Sequence, residues 1–311
     1  MNRLIATVGL PRSLLFYKYR VLWATFFEQL DVATVESPPS NRAILERGID
    51  LAVDETCLPL KMFLGHVETL RDKVDHILVP RVVTLTKRET ACVKFWASFD
   101  VARNVIEGVD LIEYNVDVAN GIHERDELCR LGRRFVDDKR RVRRAYDVAH
   151  AAYREHAHRI AGEQDAILDR PGAKVLVVGH GYNLHDELLG KPLIRILEQQ
   201  GVHVVCSELA DTHLARKLAA RISTDIPWTY NKELLGSVEL YRERVDGIVF
   251  LVTFPCGPDS LMTELCMRRL KDVPAITIVL DELQGEAGLK TRLESFVDLL
   301  KAGKRAGGGA A

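Results

Sequence analysis

Six cysteines, Cys57, Cys92, Cys129, Cys206, Cys256 and Cys266, carry the most distinctive chemistry in this 311-residue chain. No two form a Cys-x-x-Cys pair, which sets aside zinc ribbons and ferredoxin-like runs. In a reducing compartment they would not form a disulfide framework either. Any joint role therefore requires the fold to gather side chains that are distant in sequence. Cys57-Leu58-Pro59 and Cys256-Gly257-Pro258 read as helix starts, with proline in the first turn, where a missing N–H costs little. A sulfur at a helix N-terminus can accept bonds from free backbone N–H groups. Three such thiolates suit a 4Fe–4S cluster with one iron left open as a Lewis acid. The competing reading is that free cysteines pack as small hydrophobes. Packing is expected for Cys129 and Cys266 in helical segments and for Cys206 at a strand end. For Cys57, Cys92 and Cys256 both readings stand.

The elements that must position these thiols are announced by an internal repeat. Shifted by 170 positions, Val8, Gly9, Leu14, Glu28, Gln29, Val32, Val35 and Ser37 fall on Val178, Gly179, Leu184, Glu198, Gln199, Val202, Val205 and Ser207, without a gap. Shifted by 171, Leu64, Gly65, Val67, Glu68, Arg71, Val74, Asp75 and Ile77 fall on Leu235, Gly236, Val238, Glu239, Arg242, Val245, Asp246 and Ile248. Short apolar runs (Ile5 to Gly9, Val32 to Val35, Ile77 to Val79; Val175 to Gly179, Val202 to Cys206, Ile248 to Val252) alternate with helical stretches. That alternation predicts an α/β fold of two Rossmann-like parallel-sheet halves. The expected organisation is an N-terminal half over 1–105, a largely helical, charged connector over 106–171, a C-terminal half over 172–302, and a disordered tail over 303–311. In parallel sheets ligands collect at the carboxyl ends of the strands. Cys57, Cys92 and Cys256 all project to that edge.

Composition bounds the partners. With 43 Lys and Arg against 44 Asp and Glu the formal charge is −1, which excludes a chain that grips nucleic acid by bulk electrostatics. No apolar run approaches membrane-spanning length, and the opening residues are too soon broken for a signal peptide. The expected location is cytoplasmic, with no nucleic acid and no membrane as partner.

Other residues carry two readings each. Arg12 and Arg81 would bind phosphates or a carboxylate, or form salt bridges at the cleft edge. Lys61 and Lys94 would balance negative charge, or lie on solvated surface. His66 would transfer protons, although a hydrogen-bonded structural histidine is the plainer account. Asp281 and Glu282 would handle protons at a strand end, or belong to a turn. Asp259 and Ser260 follow Cys256 after Gly257-Pro258, and Ser260 reads as the cap of a helix beginning near Leu261. Gly179-His180-Gly181 resembles a phosphate-cradling turn, and the basic run from Lys139 to Arg144 reads as a solvated helix face.

Taken in order, several stretches resemble one family. They are Gly9-Leu10-Pro11-Arg12, Ser37-Pro38-Pro39-Ser40-Asn41, Asp54-Glu55-Thr56-Cys57-Leu58-Pro59-Leu60-Lys61, Gly65-His66-Val67, Pro80-Arg81, Cys92-Val93-Lys94-Phe95, Cys256-Gly257-Pro258-Asp259-Ser260 and Asp281-Glu282-Leu283-Gln284-Gly285-Glu286-Ala287-Gly288. This succession is similar to the acyl-CoA dehydratase activase-related proteins, relatives of 2-hydroxyacyl-CoA dehydratase and benzoyl-CoA reductase subunits. The resemblance implies a 4Fe–4S cluster, or in one branch a double-cubane cluster, held by Cys57, Cys92 and Cys256. Arg12, Lys61, Arg81 and Ser260 would line the cleft, with His66 and Glu282 as candidates for acid–base work. It further implies a redox or dehydratase-type component, a lyase or oxidoreductase of anaerobic metabolism. Such a component is fed by an ATP-dependent activator or another low-potential electron donor, takes an acyl-CoA ligand, and works as a homo- or heterodimer. The chain departs from the family at Val93, where a proline is expected, and at Leu283, where a histidine is expected.

Overall fold

The structure, a computed structural model, describes residues 6–283 and 285–307. Ile5, expected to open the first strand, and Gln284, part of one family stretch, lie outside the described residues. The chain divides into two compact units. One runs to Ala157 and takes in Pro227–Thr229; the other comprises His158–Ile226 and the residues from Tyr230 onward. The passage from one to the other falls inside a single long helix.

The first unit contains β1 (Thr7–Leu10), α1 (Phe16–Glu28), β2 (Ala33–Glu36), α2 (Arg42–Leu51), α3 (Leu58–Leu70), β3 (His76–Thr84), α4 (Val93–Val105), β4 (Asp110–Asp117), α5 (Glu124–Gly132) and the start of α6 (Lys139–Leu168). Its four strands form a parallel sheet in the order β2-β1-β3-β4. The second unit contains the rest of α6, β5 (Lys174–Val178), α7 (Gly181–Leu184), α8 (Gly190–Gln199), β6 (His203–Cys206), α9 (Thr212–Ala219), α10 (Thr229–Tyr241), β7 (Gly247–Thr253), α11 (Gly257–Arg269), β8 (Ala275–Leu280) and α12 (Glu286–Gly307). Its parallel sheet has the same order, β6-β5-β7-β8. Two Rossmann-like halves are therefore present. The central strands read as nearly continuous apolar runs because helices cover both faces of a parallel sheet; every residue of β7 is buried.

The pairing registers refine the repeat. β2 and β6 correspond at a shift of 170, and α3 with β3 matches α10 with β7 at a shift of 171. In β1, however, Val8 pairs His76 while its counterpart Val175 pairs Gly247, a shift of 167. The gap-free match of Val8-Gly9 to Val178-Gly179 is thus three residues out of register. The second half carries the short helix α7 between its first strand and α8, and that insertion absorbs the difference. After the third strand the shift becomes 164, linking α4 to α11 and β4 to β8.

Two expectations are corrected. The segment 106–170 is not simply helical, since it opens with β4, whose Ile112, Tyr114 and Val116 are buried on alternate positions. Charged residues between them disguise a half-buried edge strand as a polar helix. α5 closes that edge: Glu127 Oε1 accepts from the Asn115 N–H at 2.8 Å, and Arg130 donates to the Glu113 carbonyl at 2.9 Å. An ion pair thereby takes the place of a neighbouring strand. At the other end, α12 runs on through Gly307, so the helix covers residues expected to be disordered from 303.

Candidate functional site

Each of the three cysteines singled out by position is the N-cap residue of a thirteen-residue helix. Cys57 precedes α3, Cys92 precedes α4 and Cys256 precedes α11. Proline stands in the first turn of α3 (Pro59) and of α11 (Pro258), where it prescribes helical φ and withholds no needed donor. None of the three helices has a side-chain hydrogen bond at its cap. Cys57 and Cys92 lie at the carboxyl edge of the first sheet, because α3 feeds β3 and α4 leaves it. Cys256 holds the equivalent place after β7 in the second unit. All three are half-buried and none is in a disulfide.

The remaining cysteines are packed or peripheral. Cys206 is buried at the end of β6, where burial first, then Glu208 and Glu198, pushes its thiol pKa up. Burial raises Cys266 to about 12. Cys129, in α5, is also raised, chiefly by burial. Among the described residues, no group of three or more His, Cys, Asp or Glu side chains is assembled as a metal-binding set.

Around Cys57 the supports are buried and specific. Lys61, one turn into α3, is buried, and its ammonium donates to the Asp54 carbonyl at 3.0 Å. The solvated-surface reading of Lys61 is therefore overturned. His66 is fully buried, with Ser37 Oγ 2.8 Å from Nδ1 and Ser40 Oγ 2.9 Å from Nε2. Burial, with a smaller contribution from Arg12, lowers its pKa to about 3. A neutral, doubly bonded imidazole without solvent is a structural clamp between α3 and the loop after β2, not a proton shuttle. Ser37 Oγ also accepts from the Arg12 backbone N–H at 2.8 Å, so the same clamp fixes the turn after β1. Arg81 is held by Glu113 and, at 2.8 Å, by Asp100, the salt-bridge alternative foreseen for it.

Beside Cys256 the structure shows a buried polar cluster that sequence reasoning did not assemble. Asp259 is buried and accepts from Asn231 Nδ2 at 2.7 Å, with His180 Nε2 at 2.9 Å. Its carboxylate also hydrogen-bonds the Cys256 thiol. Burial alone would raise the Asp259 pKa, but His180, Asn231 and Cys256 outweigh it and hold the group below its usual value. The His180 ring stacks on Tyr182, with centroids 4.9 Å apart. In the first half the positions equivalent to Asn231 and Asp259 are Leu60 and Phe95, both buried apolar residues. Ser260 is not the helix cap: α11 begins at Gly257, and the exposed Ser260 hydroxyl donates back to the Cys256 carbonyl at 2.7 Å. Asp281 and Glu282 follow β8 at the same edge, where Asp281 accepts from the Leu283 N–H at 2.8 Å, an ordinary turn contact.

Residues 7–209 match the family described as CoA enzyme activase uncharacterised domain, and residues 119–300 match 2-hydroxyglutaryl-CoA dehydratase, D-component. The chain belongs to this activase- and dehydratase-related family. No curated protein matches it. Among solved structures it is similar to the SBP FpvC from P. aeruginosa in complex with Ni2+, at 13% identity and TM-score 0.30, covering 96% of this chain and 98% of that one. A crystal structure of ZnuA stands at 13% identity and TM-score 0.26, covering 96% and 99%. Likenesses this slight carry no argument. Large apolar side chains are exposed close in sequence to the thiols, Val53, Val93 and Trp96 in the first unit and Phe254 and Leu261 in the second, and Leu283 is exposed after β8. Among the described residues no helix is long and apolar enough to cross a membrane.

Proposed function

We propose that Cys57, Cys92 and Cys256 ligate one 4Fe–4S cluster and that the chain is an iron–sulfur component of 2-hydroxyacyl-CoA dehydratase type. The observation that carries this reading is the shared placement of these thiols. Each is a half-buried N-cap at the carboxyl edge of a parallel sheet, while the other three cysteines sit within a helix or at a strand end. The donor set fits the group, since three thiols at helix N-termini that carry no side-chain cap offer both ligands and nearby N–H groups for hydrogen bonds to sulfur. When bound, such a cluster supplies low-potential electrons and an iron that can polarise a substrate oxygen.

The chain's own residues prepare the ligands. His66, Ser37 and Ser40 lock the start of the first unit's edge. Lys61 ties the loop before Cys57 to α3, and Asp259 orients the Cys256 thiol. Arg12, half-exposed at that edge, is the side chain suited to a phosphate or carboxylate of an acyl-CoA ligand. The apolar residues flanking the thiols suit a docking partner, either an ATP-dependent activator, another low-potential donor or a second subunit. In this reading the protein acts in the cytoplasm on an acyl-CoA-like substrate, by dehydration or reduction. A second reading, a non-catalytic electron-relay or scaffold subunit, is favoured by the absence of a Gly-x-x-x-x-Gly-Lys-Ser motif, which leaves the chain dependent on a partner for ATP. A two-domain binder with incidental cysteines is the third.

Anaerobic purification with iron and sulfide analysis and electron paramagnetic resonance tests the proposal, beside a Cys57→Ser/Cys92→Ser/Cys256→Ser variant. About four irons per chain, lost in the variant, is the expected result, and about eight would indicate the double cluster. Wild-type protein that takes up no iron after anaerobic reconstitution would leave only the two-domain binder. Turnover of an acyl-CoA with an activator separates the enzyme from the relay subunit.

A further inference from the structure

Within the first unit, the charged turn from α5 into α6 builds a feature that the cysteine edge does not explain. Arg125, Cys129 and Arg133 follow one another at four-residue steps along α5 and its C-cap, and Lys139 and Arg143 stand four apart at the start of α6. Gly132 lets the two helices close on each other: a Cβ there would lie 2.8 Å from the Val142 side chain and 2.7 Å from that of Phe26. Beside that contact the side chains of both helices line a cleft of about 610 Å³, within the size range of small-molecule sites. Helix α5 runs back along β4, with Glu127 bonded to Asn115, Arg130 to Glu113 and Arg134 to Asp110, the first residue of that strand. Arg133 is therefore level with the amino edge of the sheet, at the opposite end from Cys57 and Cys92.

The cations of this cleft differ in how they are held. Arg125 is pinned by Asp147 at 3.2 Å and lies over the Tyr146 ring, and Arg130 is pinned by Glu127 at 2.7 Å. Arg133, Lys139 and Arg143 have no carboxylate partner among the described residues, although Arg134 and Arg141, beside them in sequence, each hold one. Asp126 is the one carboxylate in the lining. Cys129, half-buried between Arg125 and Arg133, adds no charge, because burial keeps its thiol protonated at neutral pH. Asp138 already accepts from the Arg140 and Arg141 N–H groups, so the binding groups on offer are side chains, not the helix end. Three uncompensated cations less one carboxylate leave a surplus of two positive charges in a chain whose formal charge is −1. Their mutual repulsion is a cost that a bound anion would remove.

We infer that this cleft binds the diphosphate group of a small ligand, with Arg133, Lys139 and Arg143 on its oxygens and Arg125 and Arg130 as fixed walls. The planar forks of the arginines match phosphate oxygens bidentately, and Lys139 adds a point charge. A surplus of two charges suits a diphosphate, and the volume leaves room beside it for an attached group. Two sources share this chemistry, inorganic diphosphate and a nucleoside diphosphate. No residue of the cysteine edge takes part, so the site holds its ligand whether or not iron is bound.

Isothermal titration calorimetry of the full chain with inorganic pyrophosphate and with ADP tests this, at about 50 mM salt so that exposed charges are little screened. The cleft variant is Arg133→Gln/Arg143→Gln. Its control, Arg103→Gln/Arg154→Gln, removes the same charge from exposed positions outside the cleft. The expected result is binding to wild type and control alike, weakened at least about tenfold in the cleft variant. ADP binding more tightly than pyrophosphate identifies a nucleotide as the source, and equal affinities identify diphosphate itself. Thermal unfolding supplies the second readout. Without ligand the cleft variant should be as stable as wild type or more so, since it loses only repulsion, and pyrophosphate should stabilise wild type alone. Binding of neither anion, an affinity unchanged in the cleft variant, or an equal loss in the control would overturn the inference. So would a ligand-free cleft variant that is folded but less stable, because its arginines would then be structural. Should the double variant not fold, Lys139→Gln decides by the same criteria.

Discussion

Substituting Gly65 by alanine tests whether the α2–α3 contact sets the position of the Cys57 turn. In a helix interior, glycine to alanine ordinarily stabilises by about 1 kcal/mol, through lower chain entropy in the unfolded state and better helix propensity. Here the added Cβ would lie 1.9 Å from the Ile44 carbonyl oxygen, where real Cβ atoms essentially never come within 3.0 Å. The two backbones must part by at least 1.1 Å, the difference of those distances. Neither atom is the end of a flexible side chain, so the strain passes into the packing of Ile44, Leu45 and Leu64, all buried. Overpacking of this rigid kind costs about 3 kcal/mol. Subtracting the propensity gain leaves a net destabilisation of about 2 kcal/mol. Gly162→Ala is the control, because that glycine is exposed on α6 and its Cβ would meet nothing within 4 Å. It should stabilise by about 0.5 to 1 kcal/mol. Urea unfolding followed by far-ultraviolet circular dichroism measures both. Gly65→Ala protein as stable as wild type would refute the argument, since it would mean the helices are not held at this separation. A destabilised Gly162→Ala protein would refute the assumed propensity gain.

Two further outcomes follow from the buried polar groups. His66 has a folded pKa of about 3 against an ordinary 6.5, so the fold binds it neutral while the unfolded chain takes up a proton. Its contribution is present above about pH 6.5 and is lost as the pH falls from there toward 3. His66→Gln should flatten the pH dependence of urea unfolding between those values, and an unchanged slope would show that His66 is not the buried neutral group. Asp259→Ala removes the acceptor shared by Asn231 and His180, leaving two buried donors unmatched at a cost of about 2 to 3 kcal/mol. Thermal unfolding would show it, and Asp259→Asn, which keeps one carbonyl acceptor, should recover part of the loss; equal losses would mean the charge rather than the hydrogen bonds matters.

What was legible in the sequence follows from how local each signal is. The central strands announce themselves because parallel strands covered on both faces must be apolar throughout, as β7 is. The ligand candidates Cys57 and Cys256 were marked by prolines that only a first helical turn accommodates. β4 was hidden because an edge strand needs apolar residues only on alternate positions, and its polar partners lie seventeen or fewer residues away in α5, where Glu127 and Arg130 look like ordinary surface charge. The cluster of His180, Asn231 and Asp259 was hidden for the opposite reason. Its members come from the ends of three elements separated by up to 79 residues, and no spacing rule relates them. The shift of 171 that lays α3 on α10, and so sets Cys57 before the one helix against Trp228 before the other, needed both kinds of information. A residue match of 171 proposes it, but the same kind of match misplaced Val8 by three positions, because an apolar strand pairs plausibly in several alignments. The ladders admit only one. Helix α3 and helix α10 share an end, a strand register and a carbonyl contact at glycine, so a slip of one residue would break all three at once. That is why Trp228 can be assigned from the fold as the counterpart of Cys57, although nothing in the local sequence around it suggests the equivalence.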